Sequence, residues 1–283
     1  MLPEPAADSP ASEDLSSESV ESDVYVSRLN KLAASVLMKV LYAGRMARYD
    51  LLKAVNALAK LLTKWDDRCD QKLYRLMCYI QTTLKYRQVG YVGDDYDEID
   101  IHLFTDADFA GCGKSQRSTT GVHLQFAGPT TCFPLNSVSK NQSCVSVSTP
   151  EAEMVAGKHG VLYELLPVLD LCDRVLRKGY KAQFHEDNTA MIRVLRTGRN
   201  PTMRHLERVH RVHVASLHEK FAEDNMCIFY EDSNSMAADI YTKGFTSPTK
   251  WLSALRLINI FTIKEQQKCC FNYMPREVIP TAV

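Results

Sequence analysis

The stretch Ile99-Asp-Ile-His-Leu-Phe-Thr105 alternates between apolar and polar side chains over most of its length and leads directly to Asp106. A two-residue period is typical of a β-strand with one buried face. A second alternating stretch spans Gly121–Phe126. A third stretch, over 131–137, follows the turn at Gly128-Pro129. Pro134 in the third stretch predicts a strand at the sheet edge, because proline cannot donate a ladder hydrogen bond. We therefore expect three early strands, with Asp106 ending the first.

Beyond this sheet the sequence predicts helices alternating with strands. Ser148-Thr-Pro-Glu151 combines a capping hydroxyl, a first-turn proline and a glutamate, which together favour a helix start. We expect this helix to end or kink near Pro167. Further strands are predicted over 181–186 and 226–231, and further helices from Asn188, over 206–222 and from a Ser235 cap through Asp239. The predicted fold class is α/β, with a five-stranded mixed sheet flanked by helices.

The rest of the chain divides into three further segments. Residues 1–24 are acidic and poor in large apolar side chains, which predicts a disordered tail. Residues 25–95 contain three apolar stripes at helical spacing and predict a small helical region. The α/β domain is assigned to 96–246, and 247–283 is predicted to form a C-terminal helix and tail.

Composition narrows the class of protein. Hydrophobic residues make up 45% of the chain and charged residues 24%, as in ordinary globular proteins. No stretch approaches the roughly 20 apolar residues of a membrane span, and the acidic N-terminus does not resemble a secretory signal. The nine cysteines are scattered, which favours a reducing compartment, cytoplasmic or nuclear.

The formal net charge of zero conceals an uneven distribution. Residues 1–23 hold seven of the 34 Asp and Glu residues and none of the 34 Lys and Arg residues. The remaining chain is therefore basic. That excess is compatible with a polyanionic partner and equally with a chance imbalance.

Four carboxylates stand at informative places: Asp106, Glu153, Asp187 and Asp239. Two are predicted at strand ends and two in helices, so the fold can bring them together. Carboxylates at one point repel each other strongly unless hard cations such as Mg²⁺ offset the charge. Two such ions roughly 4 Å apart promote phosphodiester cleavage. The alternative from spacing alone is that these acids are solvated surface groups.

Five motifs in chain order resemble the ribonuclease H domain of Ty1/copia-type retrotransposon polyproteins. They are Phe104–Cys112 (FTDADFAGC) with Arg117–Gly121 (RSTTG), Ser148–Glu153 (STPEAE), Glu186–Asn188 (EDN), Arg204–Glu207 (RHLE) and Ala238–Lys243 (ADIYTK). The chain departs from the family pattern at Phe109, Pro150 and His185-Glu186, none of which removes a predicted ligand.

The resemblance implies a ribonuclease H-like fold and an endonuclease that hydrolyses the RNA strand of RNA–DNA hybrids. It assigns catalytic and metal-binding roles to Asp106, Glu153, Asp187 and Asp239, with Asp108 and Glu151 as nearby alternates. The implied cofactor is a pair of Mg²⁺ ions, for which Mn²⁺ can substitute, and no organic cofactor is expected. The alternative is a catalytically inactive remnant that binds nucleic acid or is structural.

Residues 37–93 resemble the segment that follows the polymerase palm in the same polyproteins. The YxDD carboxylates of the polymerase are absent, and Gly93-Asp-Asp95 does not replace them. We therefore expect no polymerase activity, although a reverse transcriptase domain or chain is an expected partner besides the RNA–DNA hybrid. No membrane partner is expected.

Basic residues are dense between 193 and 220, which favours phosphate contacts along a hybrid backbone. The alternative is a solvated helix face. The residues predicted to contact nucleic acid are Ser118, Thr119, Asn188, Arg199, Arg204, His205 and Arg208. Asn188 is a candidate for sensing the RNA 2′-hydroxyl, although it also suits a helix cap.

Overall fold

The computed structural model describes residues 27–111, 115–199, 206–262 and residue 265. The predicted acidic tail lies outside the described residues, as do Arg204, His205 and nearly all of the predicted C-terminal tail. Within the described part of the chain, no helix is both long enough and apolar enough to cross a membrane.

The described chain opens with three helices and a short strand. They are α1 (Asn30–Ala47), α2 (Leu52–Ala59), α3 (Asp67–Thr82) and β1 (Arg87–Gln88). Their apolar stripes meet in one buried cluster, which includes Leu37, Val55 and Leu73. The side chain of Asp66 caps α3 by accepting a hydrogen bond from the Cys69 amide.

Five strands form the central sheet. They are β2 (Asp100–Asp108), β3 (Thr119–Ala127), β4 (Cys132–Asn141), β5 (Ala182–Glu186) and β6 (Met226–Tyr230). Their order is β4-β3-β2-β5-β6. The first three strands pair antiparallel, whereas β5 and β6 pair parallel to their neighbours. The predicted mixed sheet is confirmed, and β4, which contains Pro134, is an edge strand.

Helices cover the sheet. They are α4 (Thr149–His159), α5 (Leu166–Leu176), α6 (Thr189–Thr197), α7 (Leu206–His210), α8 (Val214–Phe221) and α9 (Pro248–Leu257). A 3₁₀ helix spans Ala237–Tyr241, and β7 (Ile260–Phe261) pairs antiparallel with β1. The main core lies between the sheet and its helices, where Leu103, Phe184 and Met191 are fully buried.

Asp106 does not end the first strand, contrary to the prediction. β2 continues to Asp108, because Asp106 pairs with Gly121 and Asp108 pairs with Thr119 of β3. The alternation of apolar and polar side chains stops at Thr105, but the backbone ladder with β3 continues for three more residues. Sequence periodicity marks the buried face of a strand and not the full length of its hydrogen-bonded ladder.

The chain stays helical past Pro167, so the predicted helix does not end there. A π-helical turn, Gly160–Leu165, links α4 directly to α5. The Leu166 amide donates to the carbonyl of Val161, five residues earlier. This wider turn immediately precedes Pro167, which lacks the amide hydrogen of a regular α-helix, so the chain continues as a helix to Leu176.

Two smaller helix predictions are also wrong. Ser235 does not cap the 3₁₀ helix; its amide donates to the carbonyl of Asp232 in the preceding turn, and Met236 occupies the cap position. Helix 206–222 is interrupted between α7 and α8, where Arg211 adopts a φ of 55°. A left-handed residue cannot continue a right-handed helix.

Gly121 holds the 3₁₀ helix close to the sheet. A Cβ atom at this position would lie 2.8 Å from the carbonyl oxygen of Ala238 and 2.6 Å from the Thr242 methyl group. We expect Gly121→Ala to destabilise the fold by about 1–3 kcal/mol, because overpacking forces backbone shifts. Urea unfolding measures this effect. Gly179→Ala is the matched control, since nothing lies within 4 Å of its added Cβ; equal effects of the two substitutions would contradict the expectation.

Candidate active site

Three carboxylates meet at one edge of the central sheet. β2 supplies Asp106, the residue after β5 is Asp187, and the 3₁₀ helix supplies Asp239. β2 and β5 are parallel neighbours, so their carboxyl ends lie side by side. One oxygen from each carboxylate lies within 4.8 Å of the other two.

A second group of carboxylates adjoins the first. It consists of Glu153 from α4, Glu186 from the end of β5, and Asp187, again with ligand oxygens within 4.8 Å of one another. Asp187 belongs to both groups. The structure therefore brings all four predicted acids into one continuous cluster, the acidic cluster, and adds Glu186, which was not predicted as a ligand.

The acidic cluster is largely buried. The exposed fractions are 1% for Asp106, 3% for Glu153 and 0% for Glu186, whereas Asp187 and Asp239 are half-buried. Glu186 accepts a hydrogen bond from the Thr105 hydroxyl at 3.1 Å and another from the Asn188 amide at 3.1 Å. These bonds fix the position of the Glu186 carboxylate within the cluster.

Lys243 brings a positive charge to the first group of carboxylates. Its Nζ lies 2.7 Å from Asp239 Oδ1, 3.3 Å from Asp106 Oδ1 and 3.9 Å from Asp187 Oδ2. The Thr242 hydroxyl donates to Asp106 Oδ2. The ammonium thus neutralises part of the charge of the first group. In the second group, the described residues show such a contact for Asp187 but none for Glu153 or Glu186.

Burial and mutual repulsion control protonation in the acidic cluster. Burial raises the pKa of Asp106 and Glu186. Burial also raises the pKa of Glu153, and the nearby negative charge of Glu186 raises it further. Burial and the charge of Asp106 raise the pKa of Asp239 to about 7, against the opposing effect of Lys243. For Lys243, burial favours the neutral form, but the neighbouring carboxylates more than offset this and raise its pKa.

The residues present fit divalent cations. Glu153 Oε2 is buried and has no hydrogen-bond partner within the described ranges, which is a costly state for a carboxylate oxygen. All ligand atoms are carboxylate oxygens, the donors that hard cations prefer. The acidic cluster can therefore hold metal ions, and Asp187 would be shared between the two groups.

The two alternates named from the sequence do not join these metal-ligand groups. Glu151 Oε2 accepts a hydrogen bond from the Val147 amide at 3.1 Å, and its Oε1 lies 2.6 Å from His210 Nε2. Glu151 is therefore occupied at the start of α4, in the capping position expected for it. Asp108 lies two residues beyond Asp106 in β2 and falls outside both groups of carboxylates found in the described chain.

Several residues predicted to contact nucleic acid are engaged inside the protein. Ser118 is buried and its hydroxyl accepts a hydrogen bond from the Ala110 amide, while the buried Thr119 hydroxyl donates to Asn141. Both side chains are therefore buried and engaged in hydrogen bonds within the protein. Asn188 caps α6 by accepting a hydrogen bond from the Met191 amide at 3.0 Å.

The basic segment divides into buried and exposed members. His210 pairs with Glu151, and His218 Nδ1 lies 2.7 Å from the carbonyl oxygen of Leu195, so both histidines contribute to packing. Arg199 and Arg208 are exposed and remain available to a partner. Arg204 and His205, both predicted contacts, lie outside the described residues.

The pKa of Asp239 predicts a pH-dependent stability. A carboxyl with a raised pKa in the folded state binds a proton that the unfolded chain has released. The free energy of unfolding should therefore fall as pH rises from about 4 to about 7. We expect Asp239 to contribute on the order of 2 kcal/mol to this fall. Urea unfolding in the presence of a chelator measures it, and Asp239→Asn should make the pH profile flatter. An unchanged profile in this variant would contradict the assignment.

No protein-family model matches the sequence. Ribonuclease H structures are among the solved structures similar to the chain. A ribonuclease H1 isolated from compost by a metagenomic approach is 14% identical with a TM-score of 0.36, and the alignment covers 50% of this chain and 92% of that one. A foamy viral protease-reverse transcriptase in complex with RNA/DNA hybrid is 11% identical with a TM-score of 0.42, and the alignment covers 72% of this chain and 25% of that one. A foamy viral protease-reverse transcriptase dRH in complex with double-stranded DNA is 10% identical with a TM-score of 0.44, and the alignment covers 72% of this chain and 32% of that one. This chain thus spans about a third or less of the foamy viral proteins.

Proposed function

We propose that this protein is an endonuclease that hydrolyses the RNA strand of RNA–DNA hybrids and derives from a copia-type retrotransposon polyprotein. The observation that carries the proposal is the acidic cluster, in which Asp187 links two groups of carboxylates. An isolated acidic group would suit a single structural cation. Two groups with one common member suit a pair of ions at the spacing used for phosphodiester hydrolysis.

The predicted carboxylates would hold two ions between them. Asp106, Asp187 and Asp239 would hold one ion, and Glu153 with Asp187 would hold the other. Mg²⁺ is the proposed cofactor, with Mn²⁺ as a substitute. Bound divalent cations supply activation of a water molecule and stabilisation of the leaving oxygen. Glu153 also has the free buried oxygen needed to orient the attacking water beside the scissile phosphate.

The substrate would lie across the exposed side of the acidic cluster. Asp187 and Asp239 are its half-buried members and therefore mark the entrance. Arg199 and Arg208 are exposed and would contact backbone phosphates. The affinity from such contacts weakens with salt and does not depend on base sequence. Arg204 and His205 are proposed to assist them. The products would be a 3′-hydroxyl and a 5′-phosphate on the RNA.

A cleavage assay on the purified chain tests this proposal. The substrate is a fluorescently labelled RNA of about 20 nucleotides annealed to complementary DNA, with Mg²⁺ present. We expect cleavage of the hybrid RNA and none of single-stranded RNA or double-stranded DNA, and a chelator should stop the reaction. Binding of the hybrid without cleavage would overturn the proposal in favour of an inactive nucleic-acid-binding protein with the same fold.

A further inference from the structure

A cleft of about 660 Å³ opens beside the acidic cluster, between the helical region and the segment from Lys243 to Trp251. Lys243 lines one end of the cleft and also contacts the acidic cluster. The volume is within the range of ligand-binding pockets. The proposed hydrolysis uses none of the other residues that line the cleft.

Aromatic rings form one wall of the cleft. Trp251 contacts Phe245 with ring centroids 5.6 Å apart and Tyr79 with ring centroids 5.9 Å apart. Ala54 and Ala57, which also line the cleft, are exposed and small, so they leave room for a flat group against these rings. Aromatic surfaces of this kind bind nucleic-acid bases by stacking, independently of base identity.

The charges of the cleft favour an anion. Lys53, Lys72 and Arg75 line it, and none of them has a carboxylate within salt-bridge distance among the described residues. Asp50 is the acid among the lining residues, and its carboxylate already accepts hydrogen bonds from Arg48 and Tyr79. The cleft therefore presents three cationic side chains that form no ion pair within the described ranges, beside an aromatic wall.

We propose that this cleft binds nucleotides of single-stranded nucleic acid, with a base against Trp251 and phosphates at Lys53, Lys72 and Arg75. Cations and stacking rings together match a ligand that alternates phosphates with bases. The choice of a nucleic acid among anionic aromatic ligands rests on the proposed nuclease function. The position beside Lys243 would let the cleft hold a strand that leaves the acidic cluster.

Binding without cleavage tests the inference separately from the nuclease proposal. The probes are fluorescently labelled oligouridine and oligothymidine of about 12 nucleotides. Their binding is measured by fluorescence anisotropy with a chelator present. Replacing Lys72 and Arg75 with Ala should weaken binding at least about tenfold. It should also lower the slope of log K against log salt by about 1.4, which is 0.7 for each lost phosphate contact. The matched control is the Lys31→Ala/Lys39→Ala double variant, which loses the same charge from exposed positions of α1.

Trp251 provides a second measurement. The other tryptophan, Trp65, is buried and bonded to Asp70, so a Trp65→Phe protein reports on Trp251 alone. Its emission should be quenched when oligouridine binds. Equal affinity in the cleft and control variants, or unchanged Trp251 emission, would overturn the inference even if the protein cleaves hybrids. Cleft-dependent binding by a protein that fails to cleave would support the inference and reject the nuclease proposal.

Discussion

Asp106→Asn is expected to lower the rate of hybrid cleavage by at least about 100-fold, the scale seen when one electrostatic contact to a reacting group is removed. The substitution keeps the size of the side chain and takes one negative charge from the first carboxylate group. Asp106 is almost fully buried, and its two oxygens contact Thr242 and Lys243. An amide at this position can still bond to Thr242 but is a much weaker ligand for a hard cation.

Single-turnover kinetics with excess protein measures this effect, because it separates the chemical step from product release. Asp108→Asn is the matched control: it removes the same charge two residues away in β2 and outside the ligand groups. Hybrid affinity should be retained in both variants. A similar loss of rate in the two would show that net charge, and not ligation by Asp106, controls the reaction.

Lys243→Met is expected to tighten divalent-cation binding by about tenfold, equivalent to about 1.4 kcal/mol. The ammonium lies within 4 Å of three carboxylates that would otherwise hold a cation, so the ammonium and the metal compete for the same oxygens. Without a metal, the same substitution should destabilise the protein, since repulsion between Asp106 and Asp239 then lacks its counter-charge.

Calorimetric titration with Mn²⁺ and thermal unfolding with and without Mg²⁺ measure the two effects. The stability difference between Lys243→Met and wild type should be large in chelator and shrink as Mg²⁺ is added. Lys250→Met, an exposed lysine of α9, should change neither quantity. Weaker metal binding in Lys243→Met would contradict competition and show that the lysine supports the bound cation.

Local pattern was sufficient to predict the strands of the central sheet, and it singled out four acids that lie together in the acidic cluster. Strand alternation located β2 and β3, and Pro134 correctly placed β4 at the edge, because these features follow from backbone chemistry within a few residues. Whether the acids would meet depended on β5 inserting beside β2. Chain order alone does not specify that pairing, which the resemblance implied.

The contacts that complete the site escaped prediction because they are long-range. Lys243 stood in the quoted ADIYTK motif, yet nothing in its neighbourhood indicates an ion pair to Asp106, 137 positions earlier. In the sequence, Glu186 stands out only as a departure from the family pattern. Its burial beneath Thr105 depends on the register of β5 against β2. A lysine one turn after a predicted ligand, four residues from Asp239, is the signal that could have been followed.

The apolar cluster that holds the 3₁₀ helix draws on both ends of the described chain. Tyr49 and Leu52 from the helical region pack there with Tyr241 and with Leu255 of α9, and β1 pairs with β7 beside them. A fragment limited to residues 96–246 would lose these partners. The apolar side of the 3₁₀ helix that carries Asp239 would then be exposed to water. We therefore expect the smallest stably folded fragment that contains the acidic cluster to start before α1 and extend past β7.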